Sequence, residues 1–542
     1  MSGVILDFTD TTNSDIKADK VQEHLELILR RLPVVGTVNV EINLAKDPTI
    51  QKLNAKYLKK DQPTDVLSFA NPEYSKNSES PLGAVIISVD TAAKQADSAG
   101  ISLQEEVNML AGHGLLHLLG YNHSWWTRRV MAKDNLLVGL DIGTAKIAVC
   151  VGTVTEDGVH IIGLAAVPHS GLRKGVITDP EETVSAISHV LEEAERMAGT
   201  NITHTYVSIS GAQIESQQAK GVVAISRPTG EVDPADVERV IEAARTSTLP
   251  QNRELVHIFP QRFLLDGQEE VRDPVGMNGI RLELDALIIS SSAAAIRNLV
   301  KVVNQAGLEI DGLVFAPLAA AKAVTTKKQR ESGVILIDFG SGSTNMVVYE
   351  EGQLLHAACL PIGSMHITND IAIGLRTNLD VAEMIKDKYG IADPTKIREG
   401  EMINLSNLDP AESEKVSRKH VAEIIEARIS EIFQLIKEEL QNIGKDGLLP
   451  AGAIFTGGGS ELEGLTELAR AQLRLPASVG YPVAPLSGII DKIDSPIYAT
   501  SVGLVLWAVE ETGDKNAPWR MEFGKFGGVI DRFRGFLKNF TN

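Results

Sequence analysis

Two signatures stand within about forty residues of each other, and no single domain accommodates both. Residues 113–123 read His-Gly-Leu-Leu-His-Leu-Leu-Gly-Tyr-Asn-His, a histidine spacing suited to a metal ion. Residues 138–146 read Val-Gly-Leu-Asp-Ile-Gly-Thr-Ala-Lys, a glycine turn suited to phosphate. These chemistries are unrelated, so the chain reads as two machines joined end to end. Met131 stands where an independent second protein would begin.

The length of 542 residues corresponds to about three or four domain-sized units. Net charge is −19. Up to Val130 there are 13 basic and 16 acidic residues, and 39 and 55 after it, so the acidity lies mostly in the second part. Such a chain offers no general basic surface to nucleic acid, although a local RNA groove on the first part stays open. The two cysteines, Cys150 and Cys359, lie far apart in apolar surroundings, which fits a reduced, cytosolic protein. The N-terminus has no signal-peptide pattern, and no stretch approaches the roughly 20 apolar residues of a spanning helix.

Periodicity predicts helices over 21–32 and 103–119 and strands over 38–43 and 84–89, a compact α+β unit. Gly120 is expected to end the second helix. Residues 124–135 begin Ser-Trp-Trp-Thr-Arg-Arg-Val and fit a junction. From residue 136 the pattern is strand, glycine turn, strand, then helices. It recurs over 334–348 around Asp-Phe-Gly-Ser-Gly-Ser-Thr, a degenerate internal repeat.

His113 and His117 are four residues apart on one helix, so their rings project from one face. A turn at Gly120 brings His123 back as a third nitrogen ligand. Three protein nitrogens leave a coordination position for water or substrate, as in catalytic zinc sites. The spacing matches that of metzincin proteases, but Gly114 occupies the place of their general-base glutamate, which argues against a peptidase.

Residues 1–123 resemble the YbeY family of bacterial endoribonucleases. The resemblance rests on Leu53-Asn54-Ala55-Lys56-Tyr57, on Asp61-Gln62-Pro63-Thr64-Asp65-Val66-Leu67-Ser68-Phe69 and on the histidine motif. It implies Zn²⁺ on His113, His117 and His123. It also implies an RNA substrate in ribosomal RNA maturation, with rRNA or the small ribosomal subunit as partner. The chain departs from the family pattern in three places. Leu58 stands where an arginine follows the tyrosine, Gly83-Ala84-Val85 replaces Gly-Asp-Ile, and the junction replaces the last helix. Lysines at 59 and 60 do not reproduce the bidentate grip of arginine on phosphate.

In the second part, Asp141, Gly143, Thr144 and Lys146 surround one turn. Asp338, Gly340, Ser341, Gly342, Ser343 and Thr344 surround another. Facing each other, two such turns grip the β- and γ-phosphates of a nucleotide with backbone N–H groups, and the two aspartates hold Mg²⁺ through its waters. Gly457, Gly458 and Gly459 form a third loop, over which the backbone passes close to the nucleotide. These three loops, in this order, resemble the actin/Hsp70-like ATPase superfamily. Residues 131–542 resemble its cell-division branch, the FtsA family. Further matches are Gly175-Val176-Ile177-Thr178-Asp179, Ile209-Ser210-Gly211, Pro361-Ile362-Gly363 and Ala382-Glu383-Met384-Ile385-Lys386.

The expected fold is therefore α/β, an actin/Hsp70-like ATPase with an FtsA-type 1C subdomain, preceded by a small α+β metal-binding domain. The expected layout is a YbeY-like domain over 1–123, a junction over 124–135 and the ATPase over 136–508. The 1C insert lies at about 212–290 and subdomain 2B at about 378–450. A linker over 509–525 and a membrane-targeting helix over 526–542 follow. The resemblance implies that Glu383 and Lys386 contact adenosine; a solvated ion pair three residues apart is the plain alternative. Ala316 stands where Hsp70-like relatives place an acidic residue before the proline, so ATP binding with slow or no hydrolysis is expected.

At the C-terminus Val529, Ile530, Phe533, Phe536, Leu537 and Phe540 fall on one helical face, with basic residues elsewhere. That pattern suits a helix lying in a membrane interface. The resemblance implies binding of the FtsZ C-terminal peptide, self-association into filaments, and location on the cytoplasmic face of the membrane at the division site. The leading reading is a division protein that tethers FtsZ filaments and carries an rRNA-maturation module. Two alternatives stay open: a zinc-dependent ribonuclease with an actin-like scaffold, and an artefactual joining of two adjacent genes.

Overall fold

Strand β6 (Lys146–Thr155) is buried without a break from Ile147 to Gly152, which marks a strand covered on both faces. The helix Ala316–Val324 is buried at every position. A helix that is apolar all round belongs inside a core rather than on a surface. These segments organise the second of two compact units, Met1–Asn135 and Leu136–Asn542.

The computed structural model describes residues 3–12, 14–30, 37–58, 62–71, 81–99, 102–119, 136–155, 158–225, 227, 230–267, 269–271, 273–482, 486–489 and 493–512. His123, the junction over 124–135 and the tail from 513 lie outside the described residues.

The first unit runs β1 (Gly3–Asp10), α1 (Ala18–Arg30), β2 (Thr37–Ala45), α2 (Asp47–Leu58), β3 (Val66–Ala70), β4 (Gly83–Ser88), α3 (Val89–Ala99) and α4 (Leu103–Leu118). Its sheet has the order β1-β2-β4-β3, with only β3 antiparallel to its neighbour. Helix α4 starts in a capping box: Ser102 Oγ accepts from Glu105 N–H at 3.3 Å and Glu105 accepts from Ser102 N–H at 2.9 Å. Val107, Leu110, Ala111, Leu115 and Leu118 of α4 are buried in the core of this unit. A Cβ at Gly114 would collide with the Val85 side chain on β4. The glycine is therefore a packing requirement: no glutamate fits where a protease would carry its base.

In the second unit, β5 (Leu136–Ile142), β6 and β7 (Gly158–Pro168) form an antiparallel run. The strand His204–Ile209 lies parallel to β5 on the other side. The strands Val334–Phe339, Thr344–Glu350 and Gln353–Leu360 repeat the run, with Gly452–Thr456 parallel to the first of them. The internal repeat expected from sequence is thus a repeat of sheet topology. Residues 214–292 add a separate four-stranded sheet backed by the helix Pro234–Thr248.

Two apolar helices, Ala316–Val324 and Ala499–Thr512, pack on each other. They touch where Gly503 faces the Ala319 carbonyl, a place with no room for a Cβ. Gly139 of β5 meets the Ser501 carbonyl under the same constraint. Near the end of the last helix, buried Lys322 pairs with Glu510 and stands 4.6 Å from the Trp507 ring centroid. Burial pulls its ammonium down to about 8, against the attraction of Glu510. The His257 ring lies 5.2 Å from the Trp507 ring, and its Nε2 accepts from Phe315 N–H at 3.0 Å.

Burial, and secondarily the charge of Lys322, push His257 from 6.5 down to about 3. The unfolded ring takes up a proton below pH 6.5 and the folded ring does not, so stability present above pH 6.5 is lost as pH falls. His257→Gln keeps an acceptor for Phe315 without the titration. We expect wild type to lose about 2 kcal/mol more than this variant between pH 6.5 and 5, read from denaturant unfolding of the full chain.

Candidate functional site

The first glycine turn joins β5 to β6. Gly143 N–H donates to Lys146 O at 2.9 Å, which closes the turn. The second joins Val334–Phe339 to Thr344–Glu350, where Gly340 N–H donates to Ser343 O at 3.1 Å. The two turns are thus built alike. Their tips meet: a Cβ at Gly342 would lie 2.6 Å from Thr144 Oγ1. Among the described residues, no acceptor meets the amides of Thr144, Ser341, Gly342 or Ser343. Unspent amides at two opposed turns have the donor chemistry that suits an anion.

Asp141 is the penultimate residue of β5 and accepts from Ser208 Oγ at 2.8 Å; Ser208 Oγ in turn accepts from Ile142 N–H at 3.1 Å. Asp338 is the penultimate residue of the matching strand and accepts from Asn345 Nδ2 at 3.3 Å. Desolvation, then the charge of Asp141, drive the Asp338 carboxyl up to about 7; the Asn345 hydrogen bond and Lys146 oppose this. Lys146 Nζ lies 3.9 Å from Asp141 Oδ2, donates to Ile497 O and stands 5.8 Å from the Tyr498 ring centroid. Burial pulls the Lys146 ammonium below its ordinary range, and Asp141, Asp338 and Glu461 oppose that. Two carboxylates against one lysine leave the cleft short of positive charge. The donor set of hard oxygens fits a divalent cation such as Mg²⁺.

The third loop completes the cleft. Gly457 has φ +79°, and a Cβ there would lie 2.6 Å from Asp338 Oδ1. Gly457 N–H and Thr456 Oγ1 both donate to Pro496 O, at 3.2 and 3.1 Å. A Cβ at Gly459 would press on the Phe339 ring at 2.8 Å; Gly458 lies between the two. Glu383 and Lys386, on the helix Leu379–Tyr389, pair at 2.6 Å, and Thr368 bonds to both. Burial raises Asp387 beside them, and the charges of Lys386, Glu383 and Glu461 act on it. Sequence reading did not single out Ser208, Asn345, Asp387, Glu461 or the carbonyls of 496 and 497; none of them stands in a glycine turn.

In the first unit the structure brings His113 and His117 together, with Nε2 atoms 3.1 Å apart and rings edge to face. Two nitrogens on one tetrahedral zinc stand about 3.3 Å apart. This fits a shared metal ion. Among the described residues no cluster of three metal-ligating side chains occurs, and the expected third ligand, His123, lies outside them. Glu106, two turns before His113, is buried, and desolvation with the charge of Asp65 raises its pKa. The C-terminal residues Val529, Ile530, Phe533, Phe536, Leu537 and Phe540 also lie outside the described residues. Among those described, no helix is long and apolar enough to cross a membrane.

Comparison with known proteins follows this division. Residues 335–503 match the family model "Cell division protein FtsA". Residues 211–290 match "SHS2 domain inserted in FTSA". Residues 7–135 match "Endoribonuclease YbeY", past the boundary at 123. Cell division protein FtsA of Pseudomonas aeruginosa is 39% identical over 380 residues, 70% of this chain and 90% of that protein. FtsA of Bacillus subtilis is 38% identical over 70% of this chain and 84% of that protein. Among solved structures, the PilM-PilN type IV pilus biogenesis complex aligns with a TM-score of 0.52 at 19% identity, over 69% of this chain and 98% of that one, a likeness of fold. The second unit has the actin/Hsp70-like ATPase fold, and the chain belongs to the FtsA family of cell-division proteins, carrying a YbeY-like segment ahead of it.

Proposed function

We propose that the second unit binds ATP with Mg²⁺ between the two glycine turns and forms filaments. Through these filaments it tethers FtsZ to the inner face of the cytoplasmic membrane at the division site. The observation that carries the reading is the pair of turns whose tips meet with unspent amides, beside Asp141, Asp338 and Lys146. Asp141 and Asp338 hold the hydrated Mg²⁺, which neutralises phosphate charge. Thr144, Ser341, Gly342 and Ser343 offer backbone donors, Gly143 and Gly340 close the two turns through their own amides, and Thr344 anchors the second turn through its bond to Ile362 O at 2.8 Å. Gly457, Gly458 and Gly459 pass beside the nucleoside, and Glu383 and Lys386 meet the adenosine.

Turnover is slow or absent, because buried Ala316 at the helix start has no group to orient water. Subdomain 2B receives the FtsZ C-terminal peptide. Leu379, Met402 and Leu448 there are each more than half exposed. Val529, Ile530, Phe533, Phe536, Leu537 and Phe540 attach the chain to the membrane. A single such anchor is weak, and filament formation multiplies it.

The first unit is proposed as a YbeY-like Zn²⁺ module on His113, His117 and His123 that acts on rRNA at the small ribosomal subunit. Its support is the convergence of the first two nitrogens.

Asp338→Asn is expected to weaken Mg²⁺-dependent ATP binding by at least about tenfold, since charge-assisted contacts are roughly twice as strong as neutral ones; calorimetry on the full chain reads this. Unchanged affinity would remove the second turn from the site. Replacing Phe533 and Phe536 with Asp should abolish sedimentation with vesicles of anionic lipid while ATP affinity stays within about twofold, because each charge is costly to place among acyl chains. His117→Ala should strip bound zinc from the purified chain, read by metal analysis; full retention would contradict the ligand assignment.

A further inference from the structure

His169 lies one residue past the end of β7, behind the first glycine turn, and its side chain is fully buried. It holds the turn twice. Its backbone N–H donates to Ala145 O at 2.9 Å, and its ring Nδ1 lies 3.0 Å from Gly143 O. A carbonyl oxygen only accepts, so Nδ1 donates to it. The ring is itself fixed from behind: Nε2 lies 3.2 Å from Thr183 Oγ1 and 2.8 Å from Glu182 Oε2. Thr183 is buried and donates to Asp179 O at 2.6 Å. Gly171 lies against the same pair, where a Cβ would collide with Glu182.

A trans peptide is planar, so its C=O and N–H point in opposite directions. Holding Gly143 O back toward His169 aims the Thr144 N–H forward, away from the ring. That amide meets no acceptor among the described residues. The second turn is held in the same way by different groups. Gly340 O accepts from Ser364 N–H at 3.0 Å, and Ser341 O from Met365 N–H at 2.9 Å, both at the start of the helix Ser364–Leu375. Each turn thus has two carbonyls restrained from behind, one pair by helix amides and the other by a single histidine.

We propose that His169 is a positioning residue for nucleotide binding: it fixes the Gly143–Thr144 peptide so that the Thr144 amide is presented to a phosphate oxygen. This rests on the reading that the turn binds phosphate.

The test is calorimetric titration of the full chain with ATP and Mg²⁺, comparing wild type, His169→Ala, His169→Asn and His169→Gln, with melting temperature as a check on folding. The side-chain amide of Asn reaches the place of Nδ1, whereas that of Gln reaches the place of Nε2. His169→Ala should bind about tenfold more weakly, the effect of one lost hydrogen bond at a buried site. His169→Asn should recover to within about threefold and His169→Gln should not. Should His169→Ala fail to fold, the Asn and Gln variants carry the test. A wild-type chain that binds ATP while His169→Ala binds equally well overturns this proposal alone, as does equal affinity of the Asn and Gln variants. A wild-type chain that binds no ATP overturns the phosphate reading and this proposal with it.

Discussion

The nucleotide-binding account depends on one close approach, the contact of the second glycine turn with the first. Gly342 lies so near Thr144 that a side chain at 342 would meet its hydroxyl at 2.6 Å. Only glycine lets the two tips meet without parting the sheets. The sheets are held at that separation by two apolar helices packed on each other through Gly503, with Gly139 of β5 seated on the last helix. Widening any of these contacts by a methyl group would open the cleft, because packed interiors transmit small changes in volume.

The last helix also links regions far apart in function. The turn before it supplies the carbonyls of Pro496 and Ile497, which hold the third loop and Lys146. Its final residues are bound by buried groups: Glu510 by Lys322, and Glu511 by Tyr206 Oη at 3.1 Å and by Trp507 Nε1 at 2.9 Å. Buried charge at such a place stabilises little by itself, but leaving one partner alone would be costly. The segment proposed to reach the membrane therefore leaves the fold from a helix end held by several polar contacts.

Much of this was legible in the sequence because glycine and aspartate at strand ends leave a local pattern. The two turns, the repeat of topology and the helical pair His113 and His117 follow from spacing alone. His169 left no such trace: a lone histidine, 26 residues after Gly143, finds its role only when β6 and β7 fold back beside the turn. Asp387 and Glu461 are similar, since their mutual field arises from a tertiary approach. The reason for Gly114 was also hidden, because the collision it avoids is with Val85 on another element. The ion pair of Glu383 and Lys386, the plain alternative to adenosine contact, is present, with Thr368 as a further partner that no spacing rule supplies.

The most direct test of the central claim is hydrogen–deuterium exchange of the full chain with and without ATP and Mg²⁺. Amides at the tips of both turns should become protected together, over 143–146 and 340–344 and at the same ATP concentration, since one triphosphate bridges them. Protection of one turn alone, or of neither while ATP remains bound, would contradict the account and put the nucleotide elsewhere on the chain.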